Sequence, residues 1–151
     1  MNESLRLLLN NFQAESKKSG DEFEAIVEAD LRSRGFVKII KNFYIPLAGC
    51  EVDFLAETED GQIEYVESKG GKSGEKKRPG AKRTDNVKKA IANGALIKAR
   101  NPEIAYIVYF SATPEPGSYS EEMLNTALFF KIIDEVRYLD TPKSLDNNSD
   151  F

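Results

Sequence analysis

The stretch Gln62-Ile63-Glu64-Tyr65-Val66-Glu67-Ser68-Lys69, read with Glu51-Val52-Asp53-Phe54-Leu55-Ala56-Glu57 before it, decides the fold of this chain. Both runs have strand length, and Asp60-Gly61 between them is a hairpin signal. Strand alternation sends residues i and i+2 to one side, so Glu67 and Lys69 project together. If the two runs pair, Asp53 approaches Glu67. Two carboxylates beside an ammonium form a site for a hard divalent cation and a water.

Around this hairpin the pattern alternates between helix and strand. Leu5, Leu8, Leu9 and Phe12 fall at i, i+3, i+4 and i+7 and predict a short amphipathic helix within residues 1–16, which polar residues Gln13 to Gly20 separate from the next element. A second helix is expected from Asp21, its cap, to Gly35, with Phe23, Ile26, Val27 and Leu31 as the apolar stripe and Glu24 at the stripe's edge. Phe36 to Ile45 reads as a further strand. Gly70 to Gly80 is a Gly- and Lys-rich loop. A helix capped by Thr84 or Asp85 runs to about Ala99, burying Val87, Ala90, Ile91, Ala95 and Leu96. The apolar run Ile104 to Ser111 predicts a central strand covered on both faces. Ser120 to Lys131 is helical, Glu135 to Leu139 is an edge strand, and residues 140–151 form a polar, flexible tail. The expectation is one α/β domain over residues 1–139, a central mixed sheet flanked by helices with an α-β-β-β-α-β core.

Composition narrows the chemistry. The 151 residues are 40% hydrophobic and 30% charged, contain no histidine, and have Cys50 as the sole cysteine. Ser-His-Asp triads, Cys-His dyads, His-ligated zinc, intrachain disulfides and multi-cysteine metal sites are excluded. No long apolar run or signal-type segment is present, so a cytoplasmic protein with no membrane partner is expected. Acid, base or metal chemistry falls to carboxylates, lysines, tyrosines and water. Cys50 reads as a small buried residue rather than a nucleophile, and Glu51, at i−2 from Asp53, as a hydrogen-bonded or solvated neighbour ahead of a further ligand.

Charge is segregated. Residues 69 to 100 hold eleven Lys/Arg against Glu75 and Asp85, a local +9 in a chain of net −4, which leaves −13 for the rest. Such a distribution suits a polyanionic partner. Lys72, Lys76, Lys77 and Arg78 lie in the loop, and Lys82, Arg83, Lys88 and Lys89 surround the start of the following helix, where backbone N–H groups also favour phosphate. These eight are the candidate DNA-binding residues.

The order helix, three strands, helix, strand, with Glu24 on the helix, Asp53 on the second strand and Glu67-Ser68-Lys69 closing the third, resembles the restriction-endonuclease-like superfamily, the PD-(D/E)xK nucleases. Gly20-x-x-Phe23-Glu24-x-x-Val27-x-x-x-Leu31-x-x-x-Gly35-Phe36 is similar to the opening helix of Holliday junction resolvases and some restriction enzymes. Val52 departs from the pattern, standing where the motif has proline. The resemblance implies that Asp53 and Glu67 ligate Mg²⁺, with Mn²⁺ expected to substitute, that Lys69 positions or activates the attacking water, and that Glu24 supports the site. It implies an Mg²⁺-dependent DNA endonuclease, of sequence-specific restriction type ahead of a junction resolvase. A catalytically silent DNA-binding module of the same fold is the alternative from another class. Duplex cleavage needs two sites, so a homodimer or higher homo-oligomer is expected, with Leu5, Leu8, Leu9 and Phe12 in its interface.

Overall fold

The computed structural model describes residues 3–70 and 78–139, apart from the side chains of residues 5–19. In chain order the elements are α1 (Glu3–Ser33), β1 (Phe36–Ile45), β2 (Cys50–Thr58), β3 (Ile63–Lys69), a 3-10 turn (Gly80–Lys82), α2 (Thr84–Arg100), β4 (Ala105–Phe110), α3 (Tyr119–Phe129) and β5 (Glu135–Tyr138). The sheet order is β1-β2-β3-β4-β5. β1, β2 and β3 pair antiparallel, and β3, β4 and β5 pair parallel, so the sheet is mixed.

Parallel neighbours need crossover connections, and α2 and α3 supply them. The two helices bury Val87, Ala90, Ile97, Leu124 and Ala127 against one face of the sheet with Val52, Tyr106, Val108 and Phe110. α1 covers the other face, where Phe23, Val27 and Leu31 meet Phe54, Ala56, Val66, Ile107 and Tyr109. β4 thus alternates between two cores and is buried on both faces, as its continuous apolar run requires. Each large apolar side chain fully buried in this way contributes about 1.5–3 kcal/mol. A polar clasp ties α1 to the far end of the sheet: Tyr109 Oη donates to Asp30 Oδ2 at 2.6 Å, and Arg137 donates to Tyr109 Oη and to both carboxylate oxygens of Glu64.

Four expectations are corrected. Residues 13–20 do not interrupt the helix; α1 is continuous, because Gln, Ala, Glu and Lys are good helix formers and polarity alone does not end a helix. Asp21 therefore lies inside α1 and caps nothing. α2 takes its N-cap from Arg83, without a side-chain cap, because it starts directly from the 3-10 turn, to whose Gly80 carbonyl the Arg83 N–H donates. Its buried stripe is Val87, Ala90, Gly94 and Ile97, whereas Ala95 and Leu96 face outward. Gly94 accounts for the difference: a Cβ there would stand 2.6 Å from the Ile132 carbonyl oxygen and 2.8 Å from the Tyr106 ring, so bare backbone packs where a side chain was expected. Residues 140–151 and the side chains of Leu5, Leu8, Leu9 and Phe12 lie outside the described residues.

Candidate active site

The ladder between β2 and β3 ends at Phe54 opposite Val66, while β3 continues beside β4 as far as Lys69 opposite Phe110. Past Val66 the two antiparallel strands part, and Asp53 fills the fork. Its Oδ2 accepts the Ser68 N–H at 2.7 Å and the Ser68 hydroxyl at 3.0 Å. A side chain thereby satisfies an amide that β2 leaves unpaired.

Glu67 lies on the α2 side of β3 and is only 4% exposed. Asn93 of α2 donates Nδ2 to Glu67 Oε2 at 2.7 Å, and Lys69 Nζ stands 3.9 Å from Glu67 Oε1. Burial pushes the Glu67 carboxyl up to about 9, helped by the hydrogen bond and charge of Asp53 and opposed by Lys69 and Asn93. Glu67 therefore keeps its proton at neutral pH when no cation is present. Glu24 reaches Asp53 from α1; its carboxyl is raised to about 6 by partial burial, then by the charges of Asp53 and Asp21, with Lys41 opposing. Close by, the chain leaving β3 presses on α1: a Cβ on Gly70 would lie 2.6 Å from Phe23 Cβ. Only glycine lets this exit pass so near the helix that carries Glu24.

Glu24, Asp53, Glu67 and Lys69 are thus brought together from α1, β2 and β3. Glu51 is exposed outside the cluster, and Cys50 is half-buried with its thiol raised by burial and by Glu67, which disfavours a thiolate. Sequence reasoning missed two members. Asn93 is a polar residue at the sheet-facing edge of α2, a weak but readable signal; Ser68 lies within Glu67-Ser68-Lys69, where nothing in the sequence marks it as a donor to Asp53.

The donor set is one of hard oxygens. Among the described residues no three His, Cys, Asp or Glu side chains form a ready cage for a metal. The neighbouring carboxyl groups of Asp53 and Glu67 nonetheless fit Mg²⁺, which takes one or two carboxylates and keeps several waters.

Of the basic residues, Lys72, Lys76 and Lys77 lie outside the described residues. Arg78 is exposed at the entry to the 3-10 turn. Lys82 pairs with Glu115 at 3.3 Å and Arg83 with Asp85 at 3.6 Å, both on the surface. Lys88 and Lys89 are exposed but diverge: Lys89 is one turn from Asn93 on the flank nearer Glu67, whereas Lys88 lines a cleft of about 750 Å³ between α2 and α3 with Thr84, Ile91, Tyr119 and Met123. Among the described residues no helix is long and apolar enough to cross a membrane.

No family model matches the chain, and no curated protein matches it. Two solved structures resemble it. A repair endonuclease from Pyrococcus abyssi superposes with a TM-score of 0.49 at 20% identity, over 85% of this chain and 47% of that one. The EndoMS-dsDNA2 complex gives a TM-score of 0.51 at 17% identity, over 81% of this chain and 46% of that one. The chain spans just under half the length of each, and what it shares with EndoMS is the fold.

Proposed function

We propose that the chain is a divalent-metal-dependent DNA endonuclease with a restriction-endonuclease-like core, acting through Asp53, Glu67 and Lys69. The convergence of these three side chains at the fork between β2 and β3, with Glu24 alongside, is the observation that carries the reading. The fold shared with EndoMS, solved with double-stranded DNA, supports duplex DNA as the substrate. Asp53 and Glu67 would hold Mg²⁺, which when bound supplies positive charge to the phosphate oxygens and acidifies a water. Ser68 anchors one Asp53 oxygen and Asn93 one Glu67 oxygen, so both carboxylates are held before substrate arrives. Lys69 holds the attacking water or hydroxide and stabilises charge in the transition state. Glu24, with its carboxyl near 6, exchanges a proton close to neutrality. Lys89 and Arg78 contact the phosphate backbone, and the surface pairs of Lys82 and Arg83 are weak enough to yield to it.

Sequence-specific restriction-type cleavage by a homodimer remains the finer form of the proposal, resting on the basic segment between residues 69 and 100. The test is cleavage of plasmid, linear duplex, single strand and four-way junction with Mg²⁺, with Mn²⁺ as substitute. Duplex cuts that vanish in Asp53→Asn and Glu67→Gln, with DNA still bound in Ca²⁺, are expected. Junction-selective cuts would move the assignment to a resolvase, and metal-independent binding without cleavage to a silent DNA-binding module.

A further inference from the structure

β1 and β2 run in register on both sides of Asn42: Lys41 is opposite Phe54 and Phe43 opposite Val52. Asn42 and Asp53 face each other between these pairs. A regular strand keeps residues i and i+2 on one face, and here neither strand does. Lys41 lies on the α1 side, 3.5 Å from Glu28 of that helix, while Phe43 packs into the core beneath α2. Phe54 likewise packs toward α1, whereas Val52 packs beneath α2. Both strands therefore change faces together, and the pivot in β1 is Asn42, at φ +52°. Asparagine enters this left-handed region far more readily than a β-branched residue, which would be a genuine outlier there.

We infer that Asn42 is the positioning residue for Asp53: its left-handed backbone reverses the faces of β1 and β2 and so aims Asp53 along the sheet, into the fork with Ser68, Glu24 and Glu67. Without the reversal, Asp53 would face one core or the other, and its carboxylate could not meet groups from both sides of the sheet. The catalytic meaning of this role rests on the nuclease reading, but the geometric role stands apart from it.

The test compares Asn42→Gly, which takes the left-handed conformation freely, with Asn42→Val, which resists it. The first readout is the amide resonance of Ser68, whose N–H donates to Asp53, in the ¹⁵N-labelled full chain; the second is single-turnover cleavage of duplex DNA at saturating Mg²⁺. The glycine variant is expected to keep the Ser68 resonance and to cleave within about threefold of wild type. The valine variant should lose that resonance position and at least tenfold in rate, with DNA affinity in Ca²⁺ unchanged, because tenfold corresponds to about 1.4 kcal/mol, within the cost of a left-handed L-residue. Should Asn42→Val fail to fold, Asn42→Ala is measured in its place and is expected to shift Ser68 in the same direction. A wild-type Ser68 resonance in the valine or alanine variant overturns the inference, as does a glycine variant as impaired as the valine one. If wild-type protein cuts no DNA, the nuclease reading fails while the Ser68 comparison still decides the role of Asn42.

Discussion

Replacing Glu67 with glutamine is expected to stabilise the metal-free protein at neutral pH while destroying its response to metal. The Glu67 carboxyl is raised from 4.5 to about 9, first by burial and then by Asp53, so the folded state holds a proton that the unfolded chain releases. That contribution is fully present below pH 4.5, declines as pH rises, and is gone above about 9. Each pH unit costs the metal-free fold about 1.4 kcal/mol, or about 3 kcal/mol between pH 4.5 and 7. Glutamine escapes the cost because it is neutral at every pH and keeps both contacts: its carbonyl accepts from Asn93 and its amide donates to Asp53. Glu24, also raised, is present in both proteins and cancels in the difference. Thermal unfolding in EDTA from pH 5 to pH 8 should show Glu67→Gln overtaking wild type, with a gap at pH 7 of up to about 6–12 °C. Added Mg²⁺ should raise the wild-type midpoint and leave the variant unmoved. A gap that fails to widen with pH, or a variant less stable than wild type at pH 7, would refute the account of Glu67 as a buried, protonated carboxyl.

Lys69→Met keeps most of the aliphatic stem and removes the charge; metal and DNA should still bind, while single-turnover cleavage falls roughly 10²-fold or more. For the basic surface, Lys89→Gln should flatten the dependence of log K for DNA on log salt by about 0.9, and Lys88→Gln should leave the slope unchanged because Lys88 faces the cleft between α2 and α3. Gly94→Ala places a methyl against the Ile132 carbonyl and the Tyr106 ring; denaturant unfolding should register a loss of about 1–3 kcal/mol.

The strands were legible because alternation, a hairpin turn and a continuous apolar run each leave a direct mark on the sequence. The same alternation hid the reversal at Asn42 and Asp53: a period of two encodes a strand that keeps its faces, and a single left-handed residue breaks it without changing composition. The continuity of α1 is hidden because the mostly polar run Gln13 to Gly20 resembles a linker, although most of its residues favour helix. The buried face of α2 is rotated from its apolar pattern because Gly94 packs with bare backbone, where the pattern offers the side chains of Ala95 and Leu96. In the site, Glu24, Asp53, Glu67 and Lys69 were readable as charges at strand and helix positions. Their supports are less legible: Asn93 leaves only the weak mark of a polar residue at the sheet-facing edge of α2, and Ser68 none, because a neutral hydrogen-bonding residue gains meaning only from the partner that folding places beside it.

The fork that Asp53 fills also bears on the choice of an inactive control. A strand that loses its neighbour leaves an amide in want of an acceptor, and at Ser68 that acceptor is the Asp53 carboxylate. Alanine at position 53 would strip a half-buried N–H of its partner, at a cost of about 1–3 kcal/mol, and let the end of the hairpin fray. Asparagine keeps an oxygen to receive that hydrogen bond and removes only the charge. On the proposed function, an Ala scan would therefore score Asp53 as a stability residue and an Asn substitution would score it as a chemical one, since one side chain both terminates the β2–β3 pairing and faces the proposed metal position.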